Sequence, residues 1–248
     1  MNQTVVITGG SRGIGAATAK LAASRGHNIC FAYRSDDDAA EQTVADCRQA
    51  GGNASAVKAD ISTVAGAAKL FATCDEHFGA PASLVNNAGI IGQCTPVSGL
   101  TPETLQKTFE VNVFGAVYCI QEAIKRMSTR NDGTGGTIIN ISSIASRLGS
   151  PGEYVHYAAS KGALESLTIG LAKELGPDGI RVNAVRSGTV DTDMHARDGN
   201  PDRPAMVAAS APLGRVGTVE EIAKTILWLA STEATYTSGA LLDVTGGL

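Results

Sequence analysis

Tyr157 and Lys161, in the run Tyr157-Ala158-Ala159-Ser160-Lys161, stand four residues apart. On a helix that spacing puts two side chains on one face, within reach of each other. A free phenol has a pKa of about 10, so near neutrality it is a reluctant base, and each unit of lowering corresponds to about 1.4 kcal/mol. An ammonium beside it favours the phenolate and supplies such a shift. The pair therefore has the chemistry of an acid/base group that gives or takes a proton on oxygen. An isolated Tyr/Lys match is more often a plain surface pair, so the reading depends on its company.

That company begins at Thr8-Gly9-Gly10-Ser11-Arg12-Gly13-Ile14-Gly15, which follows the apolar run Val5-Val6-Ile7 and leads into the apolar-periodic stretch Ala16 to Arg25. Glycines let a backbone approach a pyrophosphate, and a helix N-terminus offers unpaired N–H groups and a favourable dipole. A turn of this kind also serves plain strand-to-helix packing. No Gly-Lys-Ser/Thr follows, which disfavours a nucleotide-hydrolysing loop.

Both features need a scaffold that brings them together, and the hydrophobic pattern describes one. Short β-branched runs alternate with longer helix-patterned segments, as when parallel strands are joined by crossover helices. Seven strands are expected, near Thr4 to Thr8, Asn28 to Tyr33, Ala54 to Ala59, Ser83 to Asn87, Thr137 to Ser142, Arg181 to Val185 and Ala240 to Val244. Helical periodicity runs over Leu105 to Met127, Val155 to Leu175 and Val219 to Leu229. Runs apolar on successive residues suit strands covered on both faces. The expected fold is a single-domain, Rossmann-type α/β doubly wound sheet of seven parallel strands with helices on both faces. Ligands bind such sheets beyond the carboxyl ends of the strands. The segment 189–212, rich in Asp, Pro and Gly with little periodicity, reads as a substrate loop or lid.

With its G-x-x-x-G-x-G turn, Asn86-Asn87-Ala88-Gly89 after strand four, Tyr157-x-x-x-Lys161, the upstream Ser143 and the ending Asp243-Val244-Thr245-Gly246-Gly247, the chain resembles the short-chain dehydrogenase/reductase family from Thr4 to Gly247. Within it, the chain is similar to 3-oxoacyl-acyl-carrier-protein reductases and to sugar and polyol dehydrogenases. The resemblance implies an oxidoreductase that moves a hydride between a nicotinamide cofactor and a carbonyl/alcohol substrate. It implies Tyr157 as acid/base, Ser143 holding the substrate oxygen, Lys161 also bonding the nicotinamide ribose, and Asn112 holding a water that links Lys161 to solvent. Asn112 could instead be a helix-interior amide bonding to backbone. Ser142 and Ser143 are adjacent, and one of them could be only a strand-end turn residue. The resemblance places the catalytic serine second in the pair, although the interval to Tyr157 is one residue longer than in many relatives; Ser146 is a further candidate. A non-catalytic dinucleotide-binding redox sensor or scaffold on the same fold is the alternative, and it has no need of the Ser143, Tyr157 and Lys161 set.

The resemblance also gives the cofactor contacts: Gly9, Ser11, Arg12, Gly13, Ile14 and Gly15 of the turn, Asp60 and Ile61 after strand three, then Asn87, Ala88 and Gly89, and finally Gly188 and Thr192. A helix N-cap is the other reading of Asp60. Where strand two ends, a carboxylate would bond an adenosine ribose and repel a 2′-phosphate. Here the residues are Ala32-Tyr33-Arg34-Ser35, so Arg34 and Arg12 could face a phosphate with forked donors. NADP(H) is favoured over NAD(H), with Asp36, Asp37 and Asp38 standing against it unless they occupy the first turn of the next helix. The family usually has Pro-Gly where this chain has Ser187-Gly188, and the lost proline is expected to loosen that turn.

The 248 residues carry a net charge of −4, with 43% hydrophobic and 18% charged residues. The twenty Lys and Arg residues form no block that would neutralise a phosphate backbone, so nucleic acid is not an expected partner. Five scattered cysteines without a C-x-x-C suggest neither a disulfide framework nor a zinc site, and no metal is expected. No signal-peptide pattern or membrane helix is read, and the expected location is the cytoplasm. Long helices that are apolar or small on more than one face suggest a homo-oligomer, a homotetramer by resemblance. The substrate is not legible: neither 189–212 nor Gly92 to Leu100 has a charge pattern that names a ligand, and no basic cluster would dock an acyl-carrier protein.

Overall fold

Strand runs that are apolar at every position can only be satisfied between two helical layers, and that is where they lie. The computed structural model describes residues 3–192 and 203–248. Its strands are β1 (Thr4–Thr8), β2 (Asn28–Tyr33), β3 (Asn53–Lys58), β4 (Ser83–Asn86), β5 (Gly136–Ser143), β6 (Ile180–Ser187) and β7 (Leu241–Val244). They form one parallel sheet in the order β3-β2-β1-β4-β5-β6-β7. The helices are α1 (Gly13–Ser24), α2 (Asp37–Gln49), α3 (Val64–Phe78), α4 (Pro102–Phe109), α5 (Gly115–Met127), the short α6 (Ala145–Leu148), α7 (Val155–Leu175), α8 (Arg203–Ser210) and α9 (Val219–Ala230).

Alternation along each strand divides the core in two. Val5, Ile7, Phe31, Val85, Ile139 and Val185 pack with α1, α2 and α9. Val6, Cys30, Leu84, Ile138 and Val182 pack on the opposite face with α3, α5 and the end of α7. The chain leaves β1 outward through β2 and β3, then returns to pair β4 with the other side of β1. That reversal opens a crevice between the β1 and β4 carboxyl ends, the usual ligand position in open α/β sheets.

Two local departures from the sequence expectation matter for the site. The helix expected over Leu105 to Met127 starts earlier, at Pro102, where the Thr101 side chain accepts the Thr104 N–H; proline suits a first helical turn because its missing N–H would be unpaired there. It is then interrupted by one π-helical turn, Glu110–Phe114. Such a turn widens the backbone ring by one residue and re-aims the side chains it carries, and Asn112 sits within it. Second, β6 continues to Ser187, paired with Ser143 of β5. The turn without the family's proline is tied by two hydrogen bonds. The Ser187 hydroxyl donates to the Ser142 carbonyl at 3.3 Å, and Gly188 N–H donates to the Val244 carbonyl at 2.9 Å. Of the expected lid 189–212, residues 193–202 lie outside the described residues; the rest contains a Val190–Gly217 bridge and α8. Among the described residues no helix is long and apolar enough to cross a membrane.

Candidate active site

The segments that follow β1 to β6 converge on a cleft of about 550 Å³. Gly9, Ser11 to Ile14, Arg34, Asp60, Ile61, Asn87 to Gly89, Ser143, Tyr157, Gly188 and Thr192 all line it. Gly15, Asn112 and Lys161 stand behind this lining. The sheet thus brings together residues separated by up to 183 positions in sequence, from Gly9 to Thr192.

The glycine turn has the shape of a cradle. Gly9 has φ +66°, and a Cβ on Gly15 would lie 2.2 Å from the Gly9 carbonyl oxygen and 2.6 Å from Asn87 Nδ2. Neither position accepts a side chain without moving backbone. Helix α1 begins with no capping bond from the Arg12 side chain and no acidic residue in its first turn, so its N-terminal field favours an anion. Thr192 faces this turn, its methyl 3.5 Å from where a Gly13 Cβ would be. Uncrowded backbone at a helix start and a long cleft leading away from it fit a dinucleotide.

At the end of β2, Arg34 is exposed and lines the cleft. Arg12 forms an ion pair with Asp36. Asp36 is also the N-cap of α2, accepting the Ala39 N–H at 3.0 Å, and Asp37 accepts from Lys58 at 2.7 Å and Tyr33 Oη at 2.9 Å. The carboxylates that could repel a phosphate therefore occupy the N-cap and first turn of α2, two of them already facing cations. Asp60 is not a helix cap: it accepts Ser62 N–H at 3.0 Å and Ser62 Oγ at 2.6 Å, while Thr63 caps α3. Burial would raise its carboxyl, but the Ser62 donors and the charges of Lys107 and Arg34 hold it below its ordinary value.

Tyr157 and Lys161 lie on the first two turns of α7, as their spacing requires, with Lys161 Nζ 5.6 Å from the Tyr157 ring centre. Lys161 is 4% exposed, and its ammonium donates to the Ile141 carbonyl of β5 at 2.7 Å. Burial pushes its pKa down from 10.5 to about 8. Asn112 packs beside it. Its Oδ1 accepts Ile90 N–H at 2.8 Å, and its Nδ2 donates to Ile90 O and Ser160 Oγ, both at 2.9 Å. Both amide protons are thus used in locking the loop after β4 to α7. A Cβ on Gly89 would come within 3.3 Å of both Asn112 Oδ1 and Lys161 Nζ, so only glycine leaves this corner open.

The structure separates the three candidate serines. Ser143 lines the cleft, and its Oγ accepts the Ala145 N–H at 3.2 Å, which leaves its own proton to donate. Ser142 points to the opposite face of β5 and donates to Glu165 Oε1 at 2.7 Å. Ser146 is bonded to Glu165 and to the Ser143 carbonyl.

Three contributors escaped the sequence reading. The Thr8 hydroxyl accepts the N–H groups of Asn87 and Ala88, both at 3.0 Å, joining the loops after β1 and β4; as a β-branched residue closing a strand it gave no other signal. Tyr154 and Arg203 line the far end of the cleft, where Arg203 pairs with Glu153 at 2.6 Å and lies 5.2 Å from the Tyr154 ring centre. A contact between α8 and the segment before α7 is non-local and leaves no periodic trace.

Comparison with known proteins gives the family and the fold. A family model described as enoyl-(acyl carrier protein) reductase matches residues 9–248. An uncharacterized oxidoreductase of Escherichia coli, YgfF, is 48% identical, covering 98% of each chain. The 3β-hydroxysteroid dehydrogenase 1 of Eggerthella lenta is 38% identical over 99% of this chain and 93% of its own, and an L-rhamnose 1-dehydrogenase (NAD(P)+) of Sphingomonas is 37% identical over 99% and 96%. Among solved structures, a Serratia marcescens short-chain dehydrogenase/reductase superposes with TM-score 0.89 at 38% identity, covering 99% of this chain and 97% of its own. A blue fluorescent protein from a metagenomic library, in complex with NADPH, does so with TM-score 0.89 at 35% identity and the same coverage.

The buried ammonium of Lys161 makes a stability prediction whose sign follows from its lowered pKa. Below about pH 8 the lysine is charged in both the folded and unfolded chain, and the full cost of burial is present. Between about 8 and 10.5 it is neutral only when folded, so stability rises with pH. Lys161→Met should therefore melt higher than wild type near pH 7, by an amount reflecting on the order of 3 kcal/mol less the lost Ile141 bond. The advantage should shrink towards about pH 10. Thermal denaturation at both pH values checks this; a variant that melts lower than wild type near pH 7 contradicts it.

Proposed function

Because the chain belongs to the short-chain dehydrogenase/reductase family, we propose that it interconverts a carbonyl and an alcohol with NADP(H), Tyr157 serving as acid/base. The observation that carries this reading is the buried Lys161 ammonium beside a tyrosine that lines the cleft. A dinucleotide sensor or scaffold without turnover would have no use for a lysine kept in so unfavourable a place, and the oxidoreductase names of the relatives weigh the same way.

When bound, the nicotinamide supplies or accepts the hydride. The residues of the chain do the rest. The Gly9 to Gly15 turn and the start of α1 would hold the pyrophosphate, Asp60, Ile61 and Asn87 to Gly89 the adenosine, and Gly188 and Thr192 the carboxamide. Ser143, whose Oγ accepts the Ala145 N–H and keeps its own proton, donates to the substrate oxygen. Tyr157 gives that oxygen a proton during reduction and takes it back during oxidation. Lys161 favours the phenolate and would bond the nicotinamide ribose. Asn112 holds the lysine's surroundings fixed, and a water linking Lys161 to solvent would use the remaining lone pair of Oδ1, since both its amide protons are engaged. The described flanks of the segment 189–212, Thr189, Val190, Thr192 and α8, line or border the cleft where a substrate would sit. Relatives named for a 3β-hydroxysteroid and for L-rhamnose differ too widely to name the substrate of this chain.

Tyr157→Phe removes one hydroxyl and preserves the ring's packing. It should lower turnover by at least about a hundredfold with NADPH affinity nearly unchanged, as measured by steady-state kinetics and fluorescence titration. Activity above roughly a tenth of wild type excludes the acid/base role.

Cofactor choice rests on Arg34, because Arg12 is engaged with Asp36. Arg34→Asp should turn the ratio of kcat/KM for NADPH over NADH towards NADH, by introducing a carboxylate near the ribose. An unchanged ratio would move the 2′-phosphate contact to Arg12.

The reading includes self-association as a homotetramer. Leu105, Phe114, Val155 and Ile169 leave 38–47% of their surface exposed on α4, the π turn and α7, and Trp228 and Tyr236 are exposed beyond the other edge. A helix packed only on its own sheet needs one apolar stripe, and symmetric association buries the excess. Light scattering at micromolar concentration should give four times the mass of one 25.3 kDa chain; a single-chain mass that persists on concentration refutes it.

A further inference from the structure

Behind the strand end that carries Ser143 lies a charged cluster with no role in the scheme above. Glu165 sits one helical turn past Lys161 on α7 and is 8% exposed. Its Oε1 accepts from Ser142 Oγ at 2.7 Å and from Ser146 Oγ. Arg186 of β6 donates to the same carboxylate through a fork, Nε to Oε1 at 2.7 Å and Nη2 to Oε2 at 2.8 Å. Arg186 is itself held by Asp243 of β7 at 3.1 Å, which also takes Arg147 at 2.6 Å. Burial alone would raise the Glu165 carboxyl, but the Arg186, Ser146 and Ser142 donors outweigh it and keep it ionised.

The two serines bracket Ser143 on either side. Ser146 Oγ also lies 2.7 Å from the Ser143 carbonyl, so its single proton is shared between that oxygen and Glu165. Ser142 Oγ reaches towards the Lys161 carbonyl at 3.4 Å. The covalent path from Ser143 to Tyr157 is a poor ruler by comparison. It passes through a turn in which Gly149, Ser150 and Gly152 all have positive φ. The geometry instead fixes the serine relative to the tyrosine across space, from α7 to β5.

We propose that Glu165 is a positioning residue: from α7 it grips Ser142 and Ser146, and so sets the Ser143 hydroxyl against Tyr157 and Lys161, while Arg186 holds the carboxylate in place. This rests on the roles proposed above for Ser143 and Tyr157. Misplacing a group by about 1 Å costs on the order of a hundredfold in rate, and a carboxylate that satisfies three side chains at once is a rigid support.

Glu165→Gln loses the charged fork and should lower kcat by roughly tenfold to a hundredfold, with the Kd for NADPH within about twofold of wild type. The deciding arm repeats the substitution in a Ser143→Ala background. A residue that acts through the serine hydroxyl has nothing left to position there, so the loss should vanish. An equal loss in both backgrounds means a structural role only and overturns the proposal. If Glu165→Gln does not fold, the double variant Ser142→Ala and Ser146→Ala removes the same two grips without stranding a charge, and the same loss with the same background dependence is expected; wild-type kcat in it overturns the proposal. A Ser143→Ala protein with wild-type turnover would remove the serine's role and this proposal together. A slow Ser143→Ala protein with background-independent effects of Glu165→Gln removes this proposal alone.

Discussion

Taking an ammonium out of water costs several kcal/mol even after the protein relaxes around it, and at Lys161 this chain accepts that cost beside a tyrosine. The Ile141 carbonyl of the sheet accepts from it at 2.7 Å. Everything around the lysine is arranged to hold it there: the π turn that points Asn112 inward, the absence of a side chain at Gly89, and the packing of α7 across β5 and β6. Removing water is also what gives the charge its reach, since an ion acts more strongly on a neighbour in a low-dielectric surrounding than in solvent. A stable core and the proposed acid/base pair thus make opposite demands on the same residue.

The sheet makes this possible at small distance cost. Because the crossovers put α7 against β5 and β6, a helix carrying Tyr157 and Lys161 faces the strand end carrying Ser143. The reversal between β1 and β4 leaves room for a long ligand to run from the glycine turn to that point. The Thr8 hydroxyl ties the two loops at the reversal to each other, so the crevice has a fixed width at its centre. The layers are held apart by apolar packing, and polar bonds set the register of the loops on top of them.

Much of this was legible in the residues alone, and the part that was not has a physical reason. Runs such as Val5-Val6-Ile7 announce a strand covered on both faces, and all seven strands lie where expected with ends shifted by a residue or two, including the more polar edge strand β3. Tyr157 and Lys161 share a helix, so their proximity follows from spacing. The glycine turn follows a strand and opens a helix, which places it at the carboxyl edge. Adjacent residues were harder: which of Ser142 and Ser143 faces the cleft depends on a pleat whose phase is set by pairing with β6. The break at Glu110–Phe114 was invisible because a π turn keeps helical composition while adding one residue. The ion pairs Arg12 with Asp36 and Arg186 with Glu165 join separate elements, and no local pattern encodes them. Asp60 reads first as a cofactor contact and second as a cap, and Thr63 holds the cap position.

Action of Lys161 on Tyr157 would set this chain apart from a bare nucleotide-binding sheet. The most direct measurement is an ultraviolet difference titration of the wild-type protein against Tyr157→Phe, which isolates one of the five tyrosines. The account predicts that this phenol ionises clearly below the value of about 10 for a free tyrosine, and that the lowering is lost when Lys161 is replaced by methionine. A Tyr157 that ionises at or above about 10 in the wild-type protein would contradict it.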